Sequence, residues 1–193
     1  MAILLLGLVL FLGVHSTRIV ADGWRAGMLA RLGENGWKGL YSLLSLAGFA
    51  LVVWGYGLAR QAPQVLWTPP RGMNHLAALL MVASFILLAA AYVPRNGIRA
   101  RLHHPMLLGV KTWALAHLLA NGNLADVVLF GAFLAWAVLD FRSARRRDRA
   151  AATVYPPGTT AGTVAAVMVG LAAWAVFVLG AHTWLIGVSP LGL

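Results

Sequence analysis

Six apolar runs, each close to the length of a bilayer crossing, divide this 193-residue chain. They lie at about Ala2–Val20, Trp37–Leu58, Asn74–Val93, Pro105–Ala120, Leu124–Phe141 and Thr163–Val188. About twenty helical residues span the ~30 Å of hydrocarbon in a membrane. Inside lipid every backbone N–H and C=O must be paired within its own segment, so such runs fold as helices. The pattern predicts an all-α integral membrane protein, a six-transmembrane-helix bundle forming a single domain over residues 1–193. The breaks between runs carry the expected punctuation. Pro63, Pro69 and Pro70 fall in the second loop, Pro94 stops the third helix and Pro105 opens the fourth. Asn121-Gly122-Asn123 reads as a tight turn between the fourth and fifth. Gly39, Ser42, Ser45, Gly48 and Gly55 give the second helix small residues, which let two helices approach closely. No basic residue precedes the run Met1–Val14 and no small-residue cleavage site follows it. It therefore reads as a retained helix and not as a signal peptide.

The formal net charge of +10 raises the question of nucleic acid, but the bases sit in short loops between apolar runs. Arg18, Arg25, Arg31 and Lys38 flank or occupy the first loop, Arg95, Arg99 and Arg101 the third, and Arg142, Arg145, Arg146, Arg147 and Arg149 the fifth. The opposite side has Arg60 and Arg71, and Lys111 lies within a span. Twelve bases against two is the positive-inside signature. It predicts cytoplasmic odd-numbered loops, both termini periplasmic, and the lipid bilayer as partner with no nucleic acid. Nothing in the pattern specifies an oligomeric state.

Histidines carry the chemistry. Ionisable side chains within spans are costly and usually serve a cofactor, an ion or a proton path. By the ~1.5 Å rise per residue, His15 and His104 fall in the cytoplasmic half, and His75, His117 and His182 in the outer half. His103 reads as a surface loop residue. On the fourth helix, ~100° per residue sets His104 and His117 on different faces. His104 shares one with Lys111, and His117 shares the other with Asn121. Zero cysteines exclude disulfides, thiolate ligands, Fe–S clusters and covalently attached haem. Zinc sites usually add a carboxylate or a thiolate; Asp126 and Asp140 are the acids near the spans, and no HExxH motif exists. Histidines facing each other across an apolar bundle suit haem b. His15 and His117 are the first candidates for axial ligands, with His104, His75 and His182 as further ligands. Lys111 and Asn121 are candidate cofactor-contacting groups.

Four motifs carry a family resemblance. They are Gly13-Val14-His15-Ser16; Gly33-Glu34-Asn35-Gly36-Trp37-Lys38-Gly39-Leu40-Tyr41-Ser42; His104-Pro105-Met106 leading to Lys111-Thr112-Trp113-Ala114-Leu115-Ala116-His117-Leu118-Leu119-Ala120-Asn121-Gly122; and Ala135-Trp136-Ala137-Val138-Leu139-Asp140-Phe141-Arg142. In these segments the chain resembles the NnrU family of bacterial membrane proteins. That resemblance implies a multi-pass protein of the bacterial inner membrane with a link to nitric oxide and denitrification. A related branch, the plastid 15-cis-zeta-carotene isomerase, is similar at the His-Ser, His-Pro and Ala-His segments and uses haem b. Carried over by motif, the axial ligands would be His15 and His117. The isomerase has a further histidine after its second helix, where this chain has Leu58-Ala59-Arg60.

These implications leave open a haem-dependent isomerase or oxidoreductase acting on a small-molecule or lipid-like ligand, and a non-catalytic haem electron carrier. The number of haems is also open. His15 and His117 differ by about 10 Å along the membrane normal on the rise per residue. Two sites are the alternative to one shared iron: an inner site with His15 and His104, and an outer site pairing His117 with His75 or His182. A broader likeness to membrane methyltransferases rests on His103-His104-Pro105. Those enzymes carry a later acidic element for S-adenosylmethionine, and no Asp or Glu follows Arg149 here.

Overall fold

The fold is described by a computed structural model covering residues 1–191. Among these residues it is all-helical, with two isolated β-bridges and no strands. The helices are α1 (Ala2–Val20), α2 (Asp22–Ala59), α3 (Met73–Tyr92), α4 (Gly97–Leu102), α5 (Pro105–Ala120), α6 (Leu124–Ala150), α7 (Thr160–Val176) and α8 (His182–Ile186). A π-helical turn, Phe177–Ala181, joins α7 to α8. Five helices are long and apolar enough to cross a membrane: α1, α2, α3, α6 and the continuous Thr160–Ile186. The shorter apolar α5 has 16 residues.

Three expected boundaries move. The first loop is not a loop: α2 begins at Asp22 and runs for 38 residues, broken by a kink at Gly33 (φ 70°, ψ 171°). Charges at Arg25, Arg31 and Glu34 interrupt the apolar run without interrupting the helix, because Arg and Glu are good helix formers. Glycine supplies the left-handed φ that the kink needs. Trp24 before the kink meets Trp37 after it, edge to face at 6.0 Å. Second, α6 continues nine residues past Phe141 through the basic segment. Its 27 residues reach about 40 Å at the α-helical rise, so the last two turns project beyond a hydrocarbon core. Third, the final apolar run starts at Thr160 and changes to π geometry at Phe177.

The helices pack in the lateral order α2, α1, α6, α5, α3, α7, with α2 also touching α6. Two of the predicted small residues on α2 build the closest contact. A Cβ at Gly48 would lie 2.7 Å from the backbone nitrogen of Phe11, and one at Gly55 would collide with the Leu4 backbone. Gly7 of α1 reciprocates: its Cβ would lie 2.5 Å from the backbone nitrogen of Val52. Gly39 has open space around it and takes no part. Between helices that lipid could equally solvate, contact of this kind supplies the packing energy. On the far side, the hydroxyl of the buried Ser84 donates to the Gly109 carbonyl (2.9 Å) and joins α3 to α5. Trp174 Nε1 donates to the Ala78 carbonyl (2.9 Å) and joins α7 to α3. Leu4, Leu8, Leu12, Val52, Ala114, Leu129 and Phe130 form the apolar centre.

Replacing Gly48 or Gly55 by leucine forces α1 and α2 apart. Overpacking of this kind costs about 1–3 kcal/mol or more. The unfolding midpoint in detergent falls for both variants, while Gly57→Leu, at a glycine with nothing within 4 Å, leaves it unchanged.

Candidate functional site

The histidines gather at two levels. At the basic end, His15 sits three turns along α1 with its ring 4.2 Å from Phe11, 5.2 Å from Tyr41 and 6.0 Å from Trp136, centre to centre. Its Nδ1 lies 2.7 Å from the Phe11 carbonyl oxygen. A carbonyl only accepts, so Nδ1 carries the proton and Nε2 keeps its lone pair. His15 lines an open-mouthed cavity of about 590 Å³ between α1, α2, α4, α5, α6 and the end of α3. Trp37, Tyr41 and Trp136 give it aromatic walls; Arg18, Arg25, Lys38, Arg99 and Arg147 surround it with positive charge. Its one carboxylate, Asp140, is drawn toward Arg147 at 3.6 Å. The indole Nε1 of Trp136 is buried with no hydrogen-bond partner among the described residues. A buried donor left unpaired costs about 1–3 kcal/mol.

His104 lines the same cavity, so the structure brings His15 and His104 to one place. His104 is held from behind: its Nε2 lies 2.8 Å from Asp148 on the α6 extension, and Tyr155 donates to the same carboxylate oxygen at 3.0 Å. Burial works to raise the Asp148 carboxyl, but the hydrogen bonds from Tyr155 and His104 outweigh it and hold it below its usual range. The Tyr155 hydroxyl is pushed up, first by burial and then by donating to Asp148. Lys111 places Nζ 3.7 Å over the Phe141 ring, and that ring meets His104 edge-on at 6.1 Å. Lys111 therefore belongs to this end, although it does not line the cavity.

His103 differs from its sequence reading as a surface loop residue. The chain after α6 folds back and stacks Tyr155 on the His103 ring at 4.1 Å and 16°, while Arg145 of α6 itself donates to its Nδ1. The α6 extension and Tyr155 were hidden from sequence because neither belongs to an apolar run. Asp148, Tyr155 and Trp136 are the functional candidates that sequence reasoning missed. The isolated acid among five arginines at 142–149 was the available signal.

The second cluster lies at the opposite end. His117 Nδ1 is 2.8 Å from the Trp113 carbonyl oxygen, and its ring stacks on Phe130 at 4.5 Å. His182 Nδ1 is 2.7 Å from the Val188 carbonyl oxygen. The two rings lie 6.5 Å apart, centre to centre, with planes 27° apart. Asn121 donates to the His117 main-chain carbonyl at 2.8 Å, capping α5 without reaching the imidazole. Nearby, the buried Asp126 accepts from the Tyr56 hydroxyl (2.5 Å) and from the Asn123 side chain (3.0 Å), which ties α2 to the start of α6. His75 is exposed in the first turn of α3 and joins neither cluster. Phe11, Phe133 and Trp113, in contact at 5.8 and 5.3 Å, form a layer between the clusters. His15 and His117 therefore stand in separate clusters, each with a histidine neighbour of its own. No group of three or more His, Asp or Glu side chains among the described residues has metal-binding geometry.

A family model described as NnrU protein matches residues 3–190 of the chain. No curated protein and no solved structure is significantly similar to it.

Asp126→Ala strands the buried Tyr56 hydroxyl and removes the polar start of α6, a loss of about 1–3 kcal/mol. Tyr56→Phe costs less, and the double variant costs less than the two single changes together. A thermal-stability double-mutant cycle in detergent reads this coupling.

Proposed function

We propose that this chain, which belongs to the NnrU family, is an integral membrane protein of the bacterial inner membrane that holds haem b in the cavity at its basic end. The observation that carries this reading is the His15 imidazole. Its Nδ1–H is committed to the Phe11 carbonyl, its Nε2 has no hydrogen-bond partner among the described residues, and the side chain lines the 590 Å³ cavity. A second hydrogen bond of this kind fixes ring orientation and raises the basicity of the ligating nitrogen. The remaining lining suits the group. Trp37, Tyr41 and Trp136 offer flat apolar walls, the surrounding arginines and Lys38 complement two propionates, and the unpartnered Trp136 Nε1 has a donor to give. His104, braced by Asp148, lines the cavity as a second imidazole.

Bound there, haem would supply redox chemistry, or chemistry on a diatomic or lipid-like ligand, at an iron that His15 would hold with His104 lining the same cavity. The chain's own work is to hold it. His15 would hold the metal and the basic side chains the propionates, while Lys111 and Phe141 buttress His104 from α5 and α6. Six crossings with both termini periplasmic agree with the twelve-to-two distribution of bases, and α5 then crosses as the shortest span.

Oxidised and reduced spectra of the detergent-purified chain test the site. A Soret band and a sharp reduced α band are expected in the parent, lost in His15→Ala and kept in His182→Ala. A colourless, folded parent protein defeats the reading. Loss of the bands in His117→Ala would return His15 and His117 to one iron, as the isomerase resemblance implies. Carbon monoxide or nitric oxide shifts the reduced spectrum if a coordination position is open; a closed electron carrier shows no shift. Topology has its own test, since the chain has no native cysteine. A membrane-impermeant thiol reagent labels Gln61→Cys from the periplasm and does not label Thr153→Cys.

A further inference from the structure

We infer that the cavity at the basic end is filled from the side, through a slot in the bundle wall between α2 and α5, and that what passes through it is haem dissolved in the adjoining leaflet of the bilayer. The inference rests on the haem reading and adds to it the route and the source. It begins with the shape of the lining. Trp136, Asp140, Ala144 and Arg147 follow one another at helical spacing along one face of α6 and form the back of the cavity. Lys38, Tyr41 and Ser42 come from α2 on one side, and Met106 and Leu107 from α5 on the other. α2 packs on α1 and touches α6, while α5 packs on α3 and α6. Among the described residues no packing seam joins α2 to α5, although both contribute lining. The cavity is therefore a cleft with α6 at its back and its mouth opposite, between two apolar helices. Exposure follows the same direction: Ala144 at the back is 4% exposed, whereas Lys38 and Ser42 are exposed and Met106 is 39% exposed.

Depth makes the mouth an opening toward lipid. Trp37 begins the apolar part of α2, and Ser42 lies about 7.5 Å further along the helix axis. The mouth thus runs from the head-group level into the acyl chains. Toward water the lining is cationic, with Arg18 at the end of α1, Arg25 before the Gly33 kink, Arg99 on α4 and Arg147 on the α6 extension. Deeper, Tyr41, Trp136 and Leu107 make it aromatic and apolar. The two exposed residues at the mouth suit passage. Ser42 is small, and Met106 is an unbranched, flexible chain that swings aside at little cost.

Haem has the same polarity as this cleft: a broad apolar ring with two carboxylates on one edge. In a bilayer the ring lies among the acyl chains and the carboxylates stay at the head groups, because apolar surface leaves water and charge does not leave it. Ligand and cleft therefore match in depth as well as in chemistry. Sideways entry carries no apolar surface through water and no charge through hydrocarbon. Entry from the water-facing end would drive the ring past the guanidinium groups and strip part of their hydration.

The absence of native cysteine makes the slot testable, since Ser42→Cys combined with Met106→Cys puts two thiols across the mouth. The full chain, freed of haem, is reconstituted in vesicles whose bilayer carries haem, and uptake is followed by growth of the Soret band. The unbridged double variant loads at the parent's rate. A bifunctional methanethiosulfonate that spans the mouth slows loading by about tenfold or more, because the helices must then part before haem enters. Reductant restores the rate. Bridging after loading leaves the band unchanged and slows extraction of haem by serum albumin, so the bridge closes the cleft without collapsing it. Ser42→Trp narrows the mouth with no bridge; it slows loading and leaves the final occupancy unchanged. A bridged form that loads as fast as the open one overturns the inference. So does haem supplied in water on albumin filling the parent faster than haem supplied in the bilayer. A parent that takes up no haem from either source defeats the haem reading and this inference with it, whereas uptake that bridging leaves untouched defeats the route alone.

Discussion

Backbone contact between α1 and α2 fixes the geometry on which the basic end depends. At Gly7, Gly48 and Gly55 the two helices touch with no side chain between them. That contact sets the register between His15 on α1 and Tyr41 on α2, whose rings lie 5.2 Å apart. It also turns the other face of α1 toward α6, where Phe11 meets Phe133 and His15 meets Trp136. In lipid there is little hydrophobic drive to bring helices together, so close fit decides which pair first. The cavity is bounded by that fit on one side and by the α4–α5 corner on the other.

Charge is used sparingly, and mostly at the ends. Of five acidic residues, three tie structure together. Asp126 accepts from Tyr56 and Asn123 at one end; Asp140 faces Arg147, and Asp148 accepts from His104 and Tyr155, at the other. Each has donors or a guanidinium on hand, as a carboxylate in a half-buried place requires. The bases are in excess and remain available around the cavity. This imbalance leaves that end with a positive potential, beyond its value as a topology signal.

The helices most legible in the sequence were those whose ends are set by backbone chemistry. α1 and α5 begin and end where expected, since Pro105 and the Asn121-Gly122-Asn123 turn leave no alternative. Hydropathy failed where a helix leaves the apolar phase, because the 22–32 segment and the α6 extension are helical without being hydrophobic. The π turn has no sequence signature, so the direction of His182 was unreadable. Depth along the membrane was legible from residue count alone, and it correctly separated His15 and His104 from His117 and His182. Lateral neighbours were not, because helix order in a bundle is set by packing. His75 had the right depth for the outer group and lies exposed, while His103 appeared peripheral and is clamped between Tyr155 and Arg145. Trp113 and Trp136 stand against Phe133 and His15, contacts that residue count alone does not reveal.

The layer made by Phe11, Phe133 and Trp113 also has an electrical meaning. Polar side chains lie on both sides of it, and apart from the Trp113 indole nitrogen the side chains of the layer are hydrocarbon. If the two histidine clusters face opposite sides of an energised membrane, part of the voltage falls across this layer. Moving one elementary charge across the whole of a 100 mV potential is worth about 2.3 kcal/mol, and a charge passed between the clusters would sample the share that falls across the layer.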